Sequence, residues 1–585
     1  MAICLNGPLN VFRRCSKNTH LKYPKIEPYF ISYIRAATNT RKWSISAENN
    51  LTSDPSRLHQ HPNRRTKFHP EKLFGMEYER KIEDVRHLLQ SKAENDPRES
   101  LVLVDSIQRF GLNSYFQEEI GTILQQFYKT TNDRIYGFYN LHDVSLLFRL
   151  LRQHGYYISA DVFNNFKGKD GKFRERLSLD IGGLMELYEA AQLSFEGEYI
   201  LDEAANFSSK ILRQRVAADQ VVSNWSQTIT NKLGHPYHKT IPRFTEKDFF
   251  QDFQWEKTLR ELAIMDLHKG RSVYQEELRQ ISEWWKELGL AKSLKLARNQ
   301  PVKWYTWSMA GLIDDISLSM QRVELTKSMA FVYLIDDIFD LYGEVDDLRI
   351  FTEAVNKWDY TAIDMLPDYM KMCYRALLDT TNGIANKVTR YGVLRNFSKY
   401  MKCYCSWAQI VEWASLCEAF LVEAKWLASG NLPTADLYLE NANVTSGAHV
   451  VLVHLFFLLG LGGGTIHLND ISQIISSVAT ILRLWDDLGS AKDENQDGKD
   501  GSYIECYTKD NKGLSVVEVR QHVIDMIENE WKILNKECFC VNQSTTLSFK
   551  RASLNLARMV SVMYNYDGNQ RLPVLEEYVK FMLFN

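Results

Sequence analysis

At 585 residues, with 45% hydrophobic and 24% charged side chains, the chain is too long for one small core and has an ordinary globular composition, so two large domains are expected. A formal net charge of −3 excludes a bulk basic field for nucleic acid. The nine cysteines are scattered, and the closest pairs, Cys403/Cys405 and Cys538/Cys540, lack a second half at zinc spacing; free thiols in a reducing compartment are expected.

Residues 1–45 carry Arg13, Arg14, Lys17, Lys22, Lys25, Arg35, Arg41 and Lys42 against a single acid, Glu27. Ser and Thr are interspersed and no long apolar stretch appears, which is the composition of an organelle transit peptide rather than a secretory signal. A basic tail that stays attached is the alternative. Residues 46–71 read as a linker.

From Lys72 onward the pattern is helical almost everywhere. Phe116, Ile120, Ile123, Leu124 and Phe127 recur at helical spacing, as do Val144, Leu147, Leu150 and Leu151. Turn clusters at KGKDGK (167–172) and LGHPYHKTIP (233–242) separate such stretches. A soft boundary falls at 240–253, giving an N-terminal helical domain over 72–250 and a C-terminal one over 251–585. Before it, clustered acids at apolar positions are few; the unusual polar constellations all come after it.

The stretch YLIDDIFDLYG (333–343) sets Asp336, Asp337 and Asp340 in an apolar, aromatic run. On a helix Asp336 and Asp340 share a face, and like charges so placed repel, the more so when partly buried. A hard divalent cation with oxygen ligands, Mg²⁺ or Mn²⁺, resolves the conflict. Alone, the pattern equally fits a helix end whose aspartates are solvated or cap the next element. Further on, HVVLVHLFFLLGLGGG from His449 is the most apolar run; interrupted by His454 and ended by glycines, it reads as a buried core helix, not a membrane span.

A second acidic stripe follows in ILRLWDDLGSAKDENQDGKDG, from Ile481, where Asp486, Ser490 and Glu494 recur at i, i+4, i+8. Two carboxylates and a hydroxyl suit one Mg²⁺. Arg483 lies on the same side and is expected to reach an anionic ligand such as a phosphate rather than to pair with the ligand carboxylates. By itself this stripe also fits a solvated helix end. Asp340 and Asp486 are 146 residues apart, so only a fold can join the two stripes. Joined, they would hold metal ions against a diphosphate and make it a good leaving group.

These residues resemble the plant terpene synthases that ionise their substrate by the class I mechanism. Asp336-Asp337-Ile338-Phe339-Asp340 is the DDxxD element, and Asp486 to Glu494 matches N/D-D-x-x-S-x-x-x-E. FQEEI (116–120), FRLLRQHGY (148–156), LYEAAQL (187–193) and ILDEA (200–204) extend the resemblance over the chain after residue 70 or so. It implies an all-α, two-domain enzyme of the helical-barrel type with its site in the C-terminal bundle, a prenyl diphosphate as substrate, and a monomer. It also implies about three Mg²⁺ held by Asp336, Asp340, Asp486, Ser490 and Glu494, with Asp337 as a supporting or alternative ligand. No DxDD motif for protonation-initiated cyclisation is present.

By the same resemblance Arg298 is the first arginine of an R-x-R diphosphate clamp, and Trp307 is an active-site aromatic whose ring face can stabilise a carbocation. Thr445, Ser446 and Gly447 match a helix break facing the cation. Tyr564 and Asp567 lie near a C-terminal lid region, at a spacing shorter than the family's. Two departures stand out. The clamp reads Arg298-Asn299-Gln300, without its second arginine. The RRx8W motif of many cyclic monoterpene synthases is missing, since Arg64-Arg65 is followed by no Trp before Trp225. Both resemble the subgroup making acyclic products. The expected reaction is therefore geranyl diphosphate to linalool in plastids. Nerolidol from farnesyl diphosphate in the cytosol, and myrcene or ocimene by proton loss, remain open. A chain-elongating prenyltransferase would show a second DDxxD-like element, and an inactive, binding-only paralogue would show decay at the ligand positions.

Overall fold

The computed structural model describes residues 70–134, 140–218, 223–244, 257–390, 399–461, 467–490, 501–540, 546–566 and 571–584. The expected targeting segment, all but the last two residues of the linker, Glu494 and Asp567 lie outside them. Among the described residues the structure is helical with no strand, and a lone bridge pairs Lys167 with Phe173 across the first predicted turn.

Helix starts follow local chemistry. Asp96 accepts the Glu99 amide, with Pro97 opening Pro97–Arg109; Asn140 accepts the Asp143 amide at the head of Leu141–Gln153; Thr434 and Ser515 cap Ala435–Thr445 and Val516–Phe539 in the same way. The periodic residues face inward: Phe116, Ile120, Ile123 and Leu124, and Val144, Leu147, Leu150 and Leu151, are buried in one N-terminal core.

That core runs from Tyr78 to Ala263, so the first part of the long Lys257–Leu288 helix belongs to it. The same helix then reaches the C-terminal core at Leu267, Tyr274 and Ile281. At the junction the buried Asp266 accepts hydrogen bonds from Tyr78 (2.6 Å), Tyr115 (2.7 Å) and Arg243.

On one point the structure corrects the sequence expectation: the N-terminal helices also bury charge. Arg149, fully buried, bonds Asp105 at 2.8 Å and Glu186 at 3.1 Å, while Arg109 holds Asp105 and Lys232 holds Glu186. The members come from four separate helices, and no local pattern announces them.

The apolar stretch from His449 forms Ala448–Leu458, buried in the C-terminal core. Taken with the preceding helix, the span Ala435–Leu458 is long and apolar enough to cross a membrane, but it is interrupted at Gly447 and 67% of its most apolar window is buried inside the protein. The described cysteines are free, and all except Cys540 are buried.

Candidate active site

Both acidic stripes lie on helices. The first ends Ser319–Leu341, where Leu334, Ile335, Ile338 and Phe339 face a core and leave Asp336 half-buried and Asp340 exposed. The second ends Ser472–Ser490, with Asp486 half-buried between the buried Leu484 and Leu488. The side chain of Ser490 is outside the described set.

Arg298, in the loop before the Pro301–Gly311 helix, grips the first stripe. Its backbone amide and its Nε donate to the two oxygens of Asp337 at 2.6 and 2.7 Å, its Nη2 donates to Asp336, and its guanidinium lies 4.8 Å from the centre of the Tyr333 ring. Burial pushes Asp337 up to about 6 against the pull of Arg298.

Arg483 does the same for the second stripe, contrary to the expectation that it would avoid the carboxylates. Its Nη1 lies 3.2 Å from Asp486 and 3.6 Å from Asp487, and its Nη2 donates to Thr445 Oγ1 at 3.4 Å. A guanidinium one turn from two poorly solvated carboxylates neutralises them. Asp487 is buried, accepts from Tyr438 Oη at 3.2 Å and from the Tyr503 amide at 2.9 Å, and is pushed up to about 7 by burial.

The two stripes meet electrostatically. Burial raises the pKa of Asp486, and the Asp336 charge raises it further. Asp340 keeps part of its side chain open to solvent, yet the protein packed around its carboxyl, and then the Asp336 charge, raise its pKa. Glu423, on the Lys399–Ser429 helix, is lifted by burial and feels Asp336 as well, while accepting from Thr445 Oγ1 at 2.8 Å and Asn441 at 3.3 Å. Carboxylates from three helices thus repel one another across one cleft. Among the described residues no three His, Cys, Asp or Glu side chains gather tightly enough to hold an ion on their own. The donor set still fits Mg²⁺: hard oxygens whose mutual repulsion a divalent cation relieves.

Aromatic and backbone elements complete the walls. Trp307 is buried on Pro301–Gly311 and donates from Nε1 to Tyr333 Oη at 3.1 Å. Gly447 has φ 70°, and a Cβ there would sit 2.3 Å from Val332, so the helix break presses against the Asp336 helix. A Cβ at Gly489 would sit 2.7 Å from the Tyr564 carbonyl oxygen, which brings Tyr564 against the Asp486 helix.

A family model described as "Terpene synthase family, metal binding domain" matches residues 286–533, and one described as "Terpene synthase, N-terminal domain" matches residues 56–233. The chain belongs to the terpene synthase family. It is 56% identical over 560 residues to tricyclene synthase 0e23, chloroplastic, of Antirrhinum majus, covering 94% of each chain. It is 42% identical over 528 residues to S-(+)-linalool synthase, chloroplastic, of Arabidopsis thaliana, covering 88% of this chain and 89% of that one. Its fold matches isoprene synthase from grey poplar, solved with three Mg²⁺ ions and dimethylallyl-S-thiolodiphosphate, at a TM-score of 0.78 and 32% identity over 87% of this chain and 97% of that one.

As a terpene synthase the chain is an enzyme of a family acting on prenyl diphosphates through a metal-binding domain. Sequence reasoning missed two residues of its cleft. Glu423 follows Phe420 and Leu421 and precedes Ala424 and Trp426, and an acid in such a run is a signal of the same kind as the DDxxD stretch. Lys303 stands in LARNQPVKWYTW (296–307), directly before Trp304. A separate cavity of about 320 Å³, lined by His235, Lys239, Trp485 and Trp531 among others, lies among the N-terminal Gln192 and Tyr188, the second-stripe helix and the helices Val516–Phe539 and Leu547–Met563.

Proposed function

We propose that this terpene synthase ionises geranyl diphosphate, in plastids, to a ten-carbon monoterpene. The observation behind it is that Arg298 grips Asp336 and Arg483 grips Asp486, with the Asp336 charge reaching both Asp340 and Asp486. Asp336, Asp340, Asp486, Ser490 and Glu494 are the residues that would hold about three Mg²⁺, or Mn²⁺ in its place, with Asp337 in support. Magnesium held by these residues would supply the positive charge that makes a diphosphate a better leaving group. Arg298 and Arg483, bonded to Asp336 and Asp486, would add fixed positive charge as the leaving group develops its negative charge. The rings of Trp307 and Tyr333, joined by the 3.1 Å hydrogen bond, would offer π density to the allylic cation, and the helix break at Thr445 and Gly447 packs beside them at Val332. Plastid targeting rests on the composition of residues 1–45 and on the chloroplastic relatives.

Gln300 in the clamp and the missing RRx8W motif favour early water capture, with linalool as product. The 56% identity to a tricyclene synthase favours a second reading, cyclisation before quenching. The deciding experiment supplies the full chain with Mg²⁺ and geranyl or farnesyl diphosphate and identifies products by chiral gas chromatography–mass spectrometry. Linalool supports the first reading and tricyclene the second. Nerolidol from the C15 substrate alone would overturn the C10 assignment, and product formation that persists in EDTA would overturn the metal-assisted mechanism. Replacing Asp336 or Asp486 by Ala should lower kcat on the order of 10²–10³-fold, the scale of losing one preorganised charge-stabilising group; near-wild-type turnover in both variants would sink the proposal.

A further inference from the structure

Lys303 is a cation placed against local electrostatic preference. It lies in the first turn of Pro301–Gly311, at the positive end of the helix, where an ammonium is disfavoured. It is largely withdrawn from solvent, and the Arg298 charge stands nearby. Burial, with Arg298 adding, pushes its amine down to about 8. Among the described residues it makes no ion pair, and its contact is the ring of Tyr564, 6.0 Å from Nζ to the centroid. Asp486, the carboxylate whose charge it feels, is gripped by Arg483.

A cation so placed, beside an aromatic ring and without an ion pair among the described residues, gains from an anion brought next to it. It stands one helical turn after Gln300, the position where the clamp lacks its arginine, and the Asp336 and Asp486 stripes border the same space. We propose that Lys303 is the second cationic contact for the substrate diphosphate, supplied from one turn further along the helix than the arginine that Gln300 replaces. This rests on the terpene synthase reading above. Lysine serves here as a point charge, without the two-pronged grip of a guanidinium, so it binds the diphosphate while leaving its orientation to Arg298 and the metal side. Tyr564 holds the ammonium in place before the anion arrives.

The test titrates inorganic diphosphate, with Mg²⁺, into full-length wild type, Lys303→Met, Lys303→Gln and Lys303→Arg by calorimetry, and measures KM and kcat for geranyl diphosphate. The Met and Gln variants should bind diphosphate at least tenfold more weakly and raise KM by a similar factor. The Arg variant should stay within threefold of wild type. Met, which fills the same space without charge, should melt at or above the wild-type temperature, so its weakened binding cannot be ascribed to unfolding. Diphosphate binding within twofold of wild type in both neutral variants overturns the proposal for Lys303 alone. Wild type that neither binds diphosphate nor yields a terpene overturns the functional reading beneath it, and this inference falls with it.

Discussion

Glu412 shows how burial alone can set a residue's state. It lies on the Lys399–Ser429 helix beside the buried Gln409 and Trp413, and burial lifts its pKa from 4.5 to about 7. The folded chain therefore binds a proton more tightly than the unfolded chain between those values. Stability through this group falls as pH rises from 4.5 to 7; it is unaffected below that window and fully reduced above it. The shift corresponds to about 3 kcal/mol as an upper figure. Glu412→Gln should melt higher than wild type at pH 8, with the difference closing by pH 4.5, in thermal scans across that range. A constant difference at both pH values would show that the carboxyl is not the titrating group. Lys303 and Glu412 also mark where sequence reading stops at this scale. The DDxxD stripe was legible because its three acids are neighbours on one helix, whereas the state of Glu412 is set by residues packed on it from elsewhere.

The helices themselves were legible, because burial on one face imposes a 3.6-residue period that the chain displays openly. Their ends were legible where Asp, Asn, Ser or Thr caps them. What the sequence did not show is which helices touch: Glu423 faces Asp336 only because the Lys399–Ser429 helix packs against Ser319–Leu341. The charged cluster around Arg149 was hidden for the same reason. The break at Gly447 is an element-scale device that can be tested directly. Its positive φ disfavours a side chain, and its near-contact with Val332 leaves no room for one. Gly447→Ala should cost about 2–4 kcal/mol from backbone strain and overpacking together and should lower kcat by shifting the helix that bears Thr445. Adding Val332→Ala should recover the overpacking part in urea unfolding and leave the backbone part. Full recovery would mean that the backbone conformation at Gly447 carries no strain.

At the scale of the whole molecule, one asparagine joins the N-terminal helices to the helix behind the catalytic cleft. Asn535, buried on Val516–Phe539, donates from Nδ2 to the carbonyls of Gln192 at 3.0 Å and Ser194 at 3.1 Å. Its Oδ1 accepts from His238 Nε2 at 2.7 Å. Burial holds His238 well below the usual histidine range, so the ring is neutral and its single proton sits on Nε2. Arg558 Nε donates to the His238 carbonyl at 2.7 Å and ties in the helix Leu547–Met563. Val516–Phe539 in turn packs along Ser472–Ser490, which presents Asp486. Asn535→Ala strands one ring N–H and two carbonyls in the interior, a loss of about 3 kcal/mol. Asn535→Asp keeps the acceptor for His238 but cannot donate to the carbonyls, so it should lose as much or more. Both variants should unfold at lower urea concentration. They should also lose activity on warming well before wild type, because loosening this junction releases the helix that positions Asp486. At 20 °C, where the native state still dominates, kcat/KM should stay within threefold of wild type. A large loss of kcat at 20 °C with unchanged unfolding would mean instead that the N-terminal helices shape the cleft through this contact rather than stabilising the helix behind it.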